Sequence, residues 1–463
     1  MTGGERGFGL GRCVALTLGS ALVWGTAHLA TGHKRTGMVL LTAWALLAAL
    51  VATLVLVGGP GLLSLAVQPG WLTAFAVALA TVAAVWTIVI VWSYVLVRPA
   101  NPTPGARVGS IGLAAALCAL IIAPSAYATR LAYLSHDVVT SVFSPTSTPV
   151  IAQDPWNGAK RVNILLIGAD AAPNRPGVRT DSMTVASIDT ATGATTLFGL
   201  PRNLQNVQFP PGPARQRFPY GFTGEPPYTP GLLNEVFQYA EDYPEMVPGV
   251  HRGQRGPALL KRTVGSILGL PVPYYAMVDM AGFAQIIDAM GGVKVTIREP
   301  ITYGKYSEGY LPAGTRKLSG QEALWYGRSR TNSDDYVRMG RQKCLLNAVA
   351  KQADPITVLN SFEKLATATK RAISTDLPQS LLPALIDLAA KVKGTQIKSL
   401  QFVPPLISTV YPDWDLIQQK VDAAIADRPA HRSATAKAAP APGARPSASS
   451  HPDRPVSLDE ACG

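Results

Sequence analysis

The sequence predicts an α/β fold, a mixed central β-sheet sandwiched by helices, preceded by an N-terminal helical transmembrane block. Three observations lead there. Apolar runs at Met38–Val57, Trp71–Val97 and Val108–Ala128 reach the ~20 residues needed to cross a bilayer. After them, short strand-like runs alternate with segments of helical spacing, the pattern of a mixed sheet covered by helices. From residue 428 the chain turns Ala/Pro/Ser-rich and basic, a composition that cannot supply a core and is expected to be disordered.

Taken in order, residues 1–130 read as the transmembrane region, with three clear spans and one weaker segment. That segment, Val14–Leu29, is interrupted by Gly19, Gly25 and His28, so it reads as a span or as a re-entrant stretch. Lys34 and Arg35 precede the first clear span, and Arg98 and Arg107 lie between the second and third. The positive-inside bias places both basic loops in the cytoplasm and everything after the last span outside. Several spans argue against a single cleaved signal peptide. Residues 131–160 then form a polar extracellular stalk containing "SPTSTP", 161–427 the extracellular domain, and 428–463 the tail. The formal net charge is +12, and part of it resides in the membrane block. The outer domain is therefore only mildly basic, which argues against a nucleic-acid partner.

Within the domain, "RVNILLIGAD" (161–170) reads as a strand ending at Asp170. "SMTVASID" (182–189) and "ATTLFGL" (194–200) flank "TATG", a hairpin signal with glycine at the turn. A Pro-rich loop runs from Pro210 to Pro230. Leu259–Leu268 and Met280–Met290 have helical spacing, with a strand "VPYYAMVD" (272–279) between them. "GGVKVTI" (291–297) is a turn entering another strand, and helices are expected over Tyr336–Ala353 and Pro378–Val392. Cys13 and Cys118 lie in or near membrane segments, whereas Cys344 and Cys462 lie outside, where disulfides persist. The outer pair could be bridged or free, since spacing does not fix connectivity.

The chemistry concentrates in "WYGRSRTNSDDYVRMGRQKC" (325–344). Arg328 and Arg330 are two apart, so on a strand they share a face. Ser333 or Asp334 can cap the following helix. On that helix Val337, Cys344, Leu345 and Ala348 are expected to form the apolar stripe, with Arg341 inside it, Arg338 at its border and Gln342 further round. A guanidinium on a buried face is costly unless something negative meets it. A lone arginine would pair with a neighbouring acid; several converging ones suit phosphate oxygens, which arginine grips in bidentate fashion. Asp170 and Asp181 stand at strand ends, Asp181 two residues after Arg179. Each alone reads as a turn or cap residue, but together, opposite arginines, they suit a hard divalent cation such as Mg²⁺. Arg202 follows a strand and a proline in "GLPRNLQ" (199–205). No P-loop, dinucleotide fingerprint, Cys/His metal spacing or nucleophile elbow is present.

The blocks "NILLIGAD", "RTDSM", "LPRN", "VDMAGFAQIIDAMGGVKV", "LSGQEALWYGRSR" and "DDYVRMGRQKCLLNAVAKQ" follow one another over residues 161–352. In that order they resemble the LytR–CpsA–Psr family of cell-envelope proteins, actinobacterial type. The resemblance implies a polyprenyl-pyrophosphate ligand, its tail in a hydrophobic tunnel and its head group in an arginine cluster with Mg²⁺. It also implies transfer of a teichoic acid or other wall glycopolymer from that carrier to peptidoglycan through a phosphodiester bond. By the same resemblance, Asp170 and Asp181 are the metal-associated acids, and Arg179, Arg202, Arg328, Arg330, Arg338 and Gln342 hold the pyrophosphate. Asp181, Arg179 and Arg202 are the catalytic candidates, with Arg341 and Asp335 in support and Asp335 orienting an arginine. The family's usual Pro-Arg-Asp is Pro201-Arg202-Asn203 here. Asn203 can still accept a hydrogen bond but lacks the charge, so Arg202 is expected to be held less firmly. Two alternatives share these residues: a polyprenyl-pyrophosphate pyrophosphatase, and a non-catalytic lipid-binding envelope regulator. The expected location is the cell membrane, multi-pass, with the catalytic domain outside.

Overall fold

The computed structural model describes residues 9–57, 68–99, 102–145, 154–170, 177–224, 231–304, 306–331, 333–352, 362–426 and 454–462. The chain divides into two compact units, Met1–Thr140 and Ser141–Gly463. The first is helical: α1 (Leu10–Leu22), α2 (Thr26–Ala30), α3 (Lys34–Val57), α4 (Pro69–Val97) and α5 (Pro104–Val142). Three of these are long and apolar enough to cross a membrane, over Lys34–Leu54, Pro69–Val97 and Pro104–Val142. The weaker segment Val14–Leu29 is not one continuous helix. It breaks at Gly25, whose φ is 91° and where a Cβ would stand 2.4 Å from the Gly37 carbonyl oxygen. Only glycine fits such a close left-handed crossing.

The stalk expectation needs correction at its start. Residues 131–142 continue α5 as helix, because "LAYLSHDVVTSV" contains no glycine or proline to stop it. Residues 146–149 of "SPTSTP" lie outside the described residues.

The second unit is built on a seven-stranded mixed sheet. Its strands are β1 (Arg161–Asp170), β2 (Arg179–Asp189), β3 (Thr195–Leu200), β4 (Tyr274–Asp279), and, after four strands outside this sheet, β9 (Ile373–Thr375), β10 (Ile397–Gln401) and β11 (Val456–Ser457). The order is β11-β10-β3-β2-β1-β4-β9. The β1–β4 and β3–β10 pairs are parallel and the rest antiparallel. β1 is almost wholly buried, as expected of a central strand covered on both faces.

Alternation along the strands sends Leu165, Ile167, Met183, Val185, Phe198 and Leu200 to one face, into the main core. There they meet α6 (Val236–Asp242), α7 (Arg255–Leu268) and, near the C-terminus, the helix Trp414–Ala426. The other face is covered by α8 (Met280–Ala289), α9 (Gly320–Arg328) and α10 (Asp335–Gln352). Beside these helices lie two small antiparallel pairs. β5 (Val293–Ile297) pairs with β8 (Gly314–Leu318), and β6 (Ile301–Tyr303) with β7 (Gly309–Leu311). Ile287, Val293, Val295, Leu318, Ala323, Tyr326 and Leu345 form this side's own core.

The end of the chain differs from the disordered tail expected. β11 pairs with β10, Lys398 opposite Ser457 and Ser399 opposite Val456. The helix Leu458–Cys462 follows, with Leu458 buried against Ala186 and Leu197. Cys462 is disulfide-bonded to Cys344 of α10, with Cα atoms 5.3 Å apart. Averaged composition hid one apolar anchor and one cysteine behind a polar stretch. The Ala/Pro/Ser-rich part of the tail, 427–453, lies outside the described residues.

Candidate active site

A cavity of about 320 Å³ opens between the sheet and the helices α8, α9 and α10. Leu166, Gly168, Thr184, Ala276 and Val278 of the sheet form its floor, and Phe283, Leu324, Leu345 and Leu346 line it from the helices. The polar part carries Asp170, Arg179, Asp181, Arg202, Arg328, Arg330, Arg338 and Gln342. Eight of the ten expected site residues therefore line one cavity. Asp335 and Arg341 are not among its lining residues and act on those that are.

A β-bulge sets the position of Asp181. Gly168 pairs with Ser182 and Ala169 with Thr180, so Asp181 is the unpaired extra residue. A bulge places two consecutive residues on one face. Thr180 and Met183 turn to the protein interior while Asp181 and Ser182 both line the cavity. Arg179 lies opposite Asp170 in the register. The sequence shows strand-end acids, but the bulge that aligns them carries no glycine or proline signature.

Arg202 is held at both ends. Its Nη1 donates to Asp181 Oδ1 at 2.5 Å, and its Nε stands 3.4 Å from Asp335 Oδ1. Asn203 contributes nothing to this grip, because its buried Oδ1 has no hydrogen-bond partner. The expectation of a loosely held Arg202 is therefore replaced: two carboxylates elsewhere in the fold orient it.

Arg328 is not on a strand. It is the last residue of α9, whose start is fixed by a capping box between Ser319 and Glu322. Its Nη2 donates to Asp170 Oδ2 at 3.3 Å. Ser329 then leaves the helix in extended backbone, and the Arg330 carbonyl accepts from the Ser333 amide at 3.1 Å in the turn toward α10. Asp334 caps α10 by accepting from the Val337 amide at 2.7 Å.

The helical phase of α10 also differs from expectation. Val337 is 52% exposed, while Arg338 and Lys343 are buried. The helix is covered from several sides, so no single apolar stripe describes it. Arg338 makes two hydrogen bonds to Asp335, at 3.1 and 3.0 Å. Arg330 approaches the same carboxylate at 3.9 Å. Asp335 thus faces Arg338, Arg202 and Arg330 together. Burial works to raise its carboxyl pKa, but hydrogen bonds from Arg338 and the charges of Arg338, Arg202 and Arg330 outweigh this and hold it below the usual range. Burial, then the facing Arg202, lowers Arg330 from the ordinary arginine value, and the Asp335 charge opposes the shift. Arg341 Nη2 donates to Ser329 O at 2.6 Å and Ser333 Oγ at 2.7 Å, which shapes the loop carrying Arg330. Gln342 Nε2 donates to Gly327 O at 3.0 Å, and the residue lines the cavity.

Three features escaped sequence reasoning. Ser182 and Thr184 place hydroxyls on the cavity floor. Glu235, which accepts from the Gly231 and Leu232 amides, is raised by burial while the Arg179 charge opposes the shift. Lys343 packs its Cε over Gly199, 3.3 Å from where a Cβ would stand. Burial pushes its pKa well down, with no compensating carboxylate among the described residues.

The sequence profile of the LytR_cpsA_psr family matches residues 136–406. The chain belongs to this family. Among LytR_cpsA_psr relatives, a Bacillus cereus protein named polyisoprenyl-teichoic acid–peptidoglycan teichoic acid transferase TagU is 25% identical over 270 residues. The match covers 56% of this chain and 76% of that one. Biofilm regulatory protein A of Streptococcus mutans is 23% identical over 294 residues, covering 61% and 66% of the two chains. Among solved structures, Bacillus subtilis TagV is 22% identical with a TM-score of 0.41, covering 57% of this chain and 96% of that chain.

Proposed function

We propose that this chain is a membrane-anchored phosphotransferase that moves a wall glycopolymer from a polyprenyl-pyrophosphate carrier to peptidoglycan. The observation that carries this reading is the two-part cavity, apolar within and lined by five arginines at its polar part. An apolar chain ending in a diphosphate has that polarity. The transferase named in Bacillus cereus supports the same direction.

The acceptor sugar's hydroxyl oxygen attacks the glycan-linked phosphorus, and the bond from that phosphorus to the bridging oxygen breaks. Polyprenyl phosphate leaves and a phosphodiester remains between glycan and acceptor. The hydroxyl proton passes to the leaving phosphate or to a cavity carboxylate. Arg179 and Arg202 neutralise charge at the reacting phosphorus, and Arg328, Arg330, Arg338 and Gln342 hold the diphosphate oxygens. Such catalysis works by positioning and preorganised charge. Asp335 keeps three of these arginines aligned, and Arg341 keeps the Ser329–Ser333 loop in place.

Asp170 and Asp181 would hold Mg²⁺. They place two carboxylates in the cavity lining, where Asp170 also pairs with Arg328 and Asp181 with Arg202. That suits an ion that takes one or two carboxylates and completes its shell with phosphate oxygens and water. When bound it would add positive charge at the diphosphate.

The test uses full-length protein in detergent with a polyprenyl-diphosphate-linked glycan. Release of polyprenyl phosphate should require both peptidoglycan and Mg²⁺, and Asp181→Ala should slow it by about 10²–10³-fold. Release at the same rate without acceptor would mean a pyrophosphatase. Tight lipid binding with no turnover would mean a regulator, the role that the name of the Streptococcus mutans relative carries.

A further inference from the structure

The β6–β7 hairpin lies outside the seven-stranded sheet, and none of its described residues lines the cavity. It is nevertheless tied to Arg328 at two points. Tyr303 of β6 stacks on Trp325 of α9, with ring centroids 5.2 Å apart and planes 16° from parallel. Arg328 lies one helical turn after Trp325, and its guanidinium carbon stands 5.7 Å from the Trp325 ring centroid. The same guanidinium donates to Asp170. Behind Tyr303, Gly309 is its register partner. A Cβ there would fall 1.9 Å from Tyr303 Cε2, so the ring lies against bare backbone. At the second point, Ser329 Oγ donates to Thr302 O at 2.6 Å, tying the end of α9 to β6.

The arrangement is a column: Gly309, Tyr303, Trp325, Arg328, Asp170. Its last cation needs such support. The Arg328 side chain is 42% exposed, and a part-exposed ion pair alone restrains a long side chain weakly. An arginine that must be ordered when ligand arrives loses affinity through that ordering, whereas one already laid on an aromatic face does not. Offset stacking and the cation–π contact supply that restraint.

We propose that Trp325, backed by Tyr303 and Gly309, is a positioning residue that presets the Arg328 guanidinium at the mouth of the cavity. The inference rests on the reading of that mouth as a diphosphate site. Trp325 does not line the cavity, so its effect passes through Arg328 and not through contact with the ligand.

The test follows binding of farnesyl diphosphate to the full-length protein by calorimetry, with thermal unfolding recorded for every variant. W325L should weaken binding about three- to tenfold, and W325F should bring it back to within about twofold of wild type. Y303L removes the backing ring without touching α9 and should weaken binding in the same direction, which keeps the test open if W325L fails to fold. In an R328A background W325L should cost nothing further, a coupling that general loosening of the fold would not produce. If R328A itself leaves affinity unchanged, the diphosphate reading of the mouth fails and takes this inference with it. If R328A weakens binding but W325L and Y303L do not, only the positioning role is overturned. The same holds if W325L costs as much with R328A as without it.

Discussion

Asp335 and Lys343 show how differently two charged side chains on one helix are treated. Asp335 is half-buried and surrounded by Arg338, Arg202 and Arg330, so its charge is matched several times over. Lys343 is buried over Gly199, and desolvation alone shifts it. A lysine whose pKa is depressed in the folded state binds fewer protons there than in the unfolded chain. Stability therefore rises with pH from the lowered folded value up to the unfolded value of ~10.4. Lys343→Met removes the group and keeps most of its volume. At neutral pH the variant should be more stable by on the order of 1–3 kcal/mol, and it should lose the rise between neutral and alkaline pH that the wild type shows. Denaturant titrations of both proteins across that range check this, and a variant less stable than wild type at neutral pH would refute it. The sequence exposed the arginines and acids through their clustering. It could not show Lys343 as buried, because helical phase alone put Val337 inward and said nothing of the sheet lying against the other side. Nor could it show that Asn203 leaves Arg202 to Asp181 and Asp335, which is a long-range contact.

The elements that carried a clear period were legible. β1, the β2–β3 hairpin, β4, α8, β5 and α10 stand close to where alternation and helical spacing place them. β9 and β11 have three and two residues, too few for a period to register, and β11 exists because β10 offers an edge. The bulge at Asp181 and the helical setting of Arg328 were likewise invisible, since both depend on pairing with distant segments. The disulfide could be posed from the sequence but not decided. It joins α10, which carries Arg338 and Gln342, to the last helix across 118 residues of chain. Asp459 of that helix accepts from Asn347 and pairs with Lys351. Closing so long a loop constrains the unfolded chain strongly, and losing such a bridge costs about 2–5 kcal/mol. Cys462→Ser should lower stability by that amount, and reducing agent should bring the wild type to the variant's level while leaving the variant unchanged. Equal denaturation midpoints for oxidised wild type and Cys462→Ser would show that the bridge is absent or carries no stability.

At the scale of the whole molecule, the expectation that the chain after α5 lies outside the membrane can be tested directly. Basic residues flank the membrane helices at Lys34, Arg35, Arg98 and Arg107. If the three long apolar helices all cross, the positive-inside bias predicts that the chain after α5 lies outside. The cysteines point the same way. Cys13 and Cys118, both in helices of the first unit, are free, whereas Cys344 and Cys462 of the second are bridged, a pairing common in oxidising compartments and rare in a reducing cytoplasm. The proposed transfer to peptidoglycan requires that side. Alkaline phosphatase, which needs disulfides to become active, reports the side directly when fused at chosen points and expressed in a Gram-negative host. A fusion after Pro145 should be active and one after Arg98 inactive. Moving the charge should move the answer: with Arg98 and Arg107 both changed to Gln, the inside preference of that loop weakens and the fusion after Pro145 should lose activity. Activity after Arg98 but not after Pro145 in the native sequence would place the cavity in the cytoplasm. Transfer to peptidoglycan would then be impossible whatever the arginines of the cavity can bind.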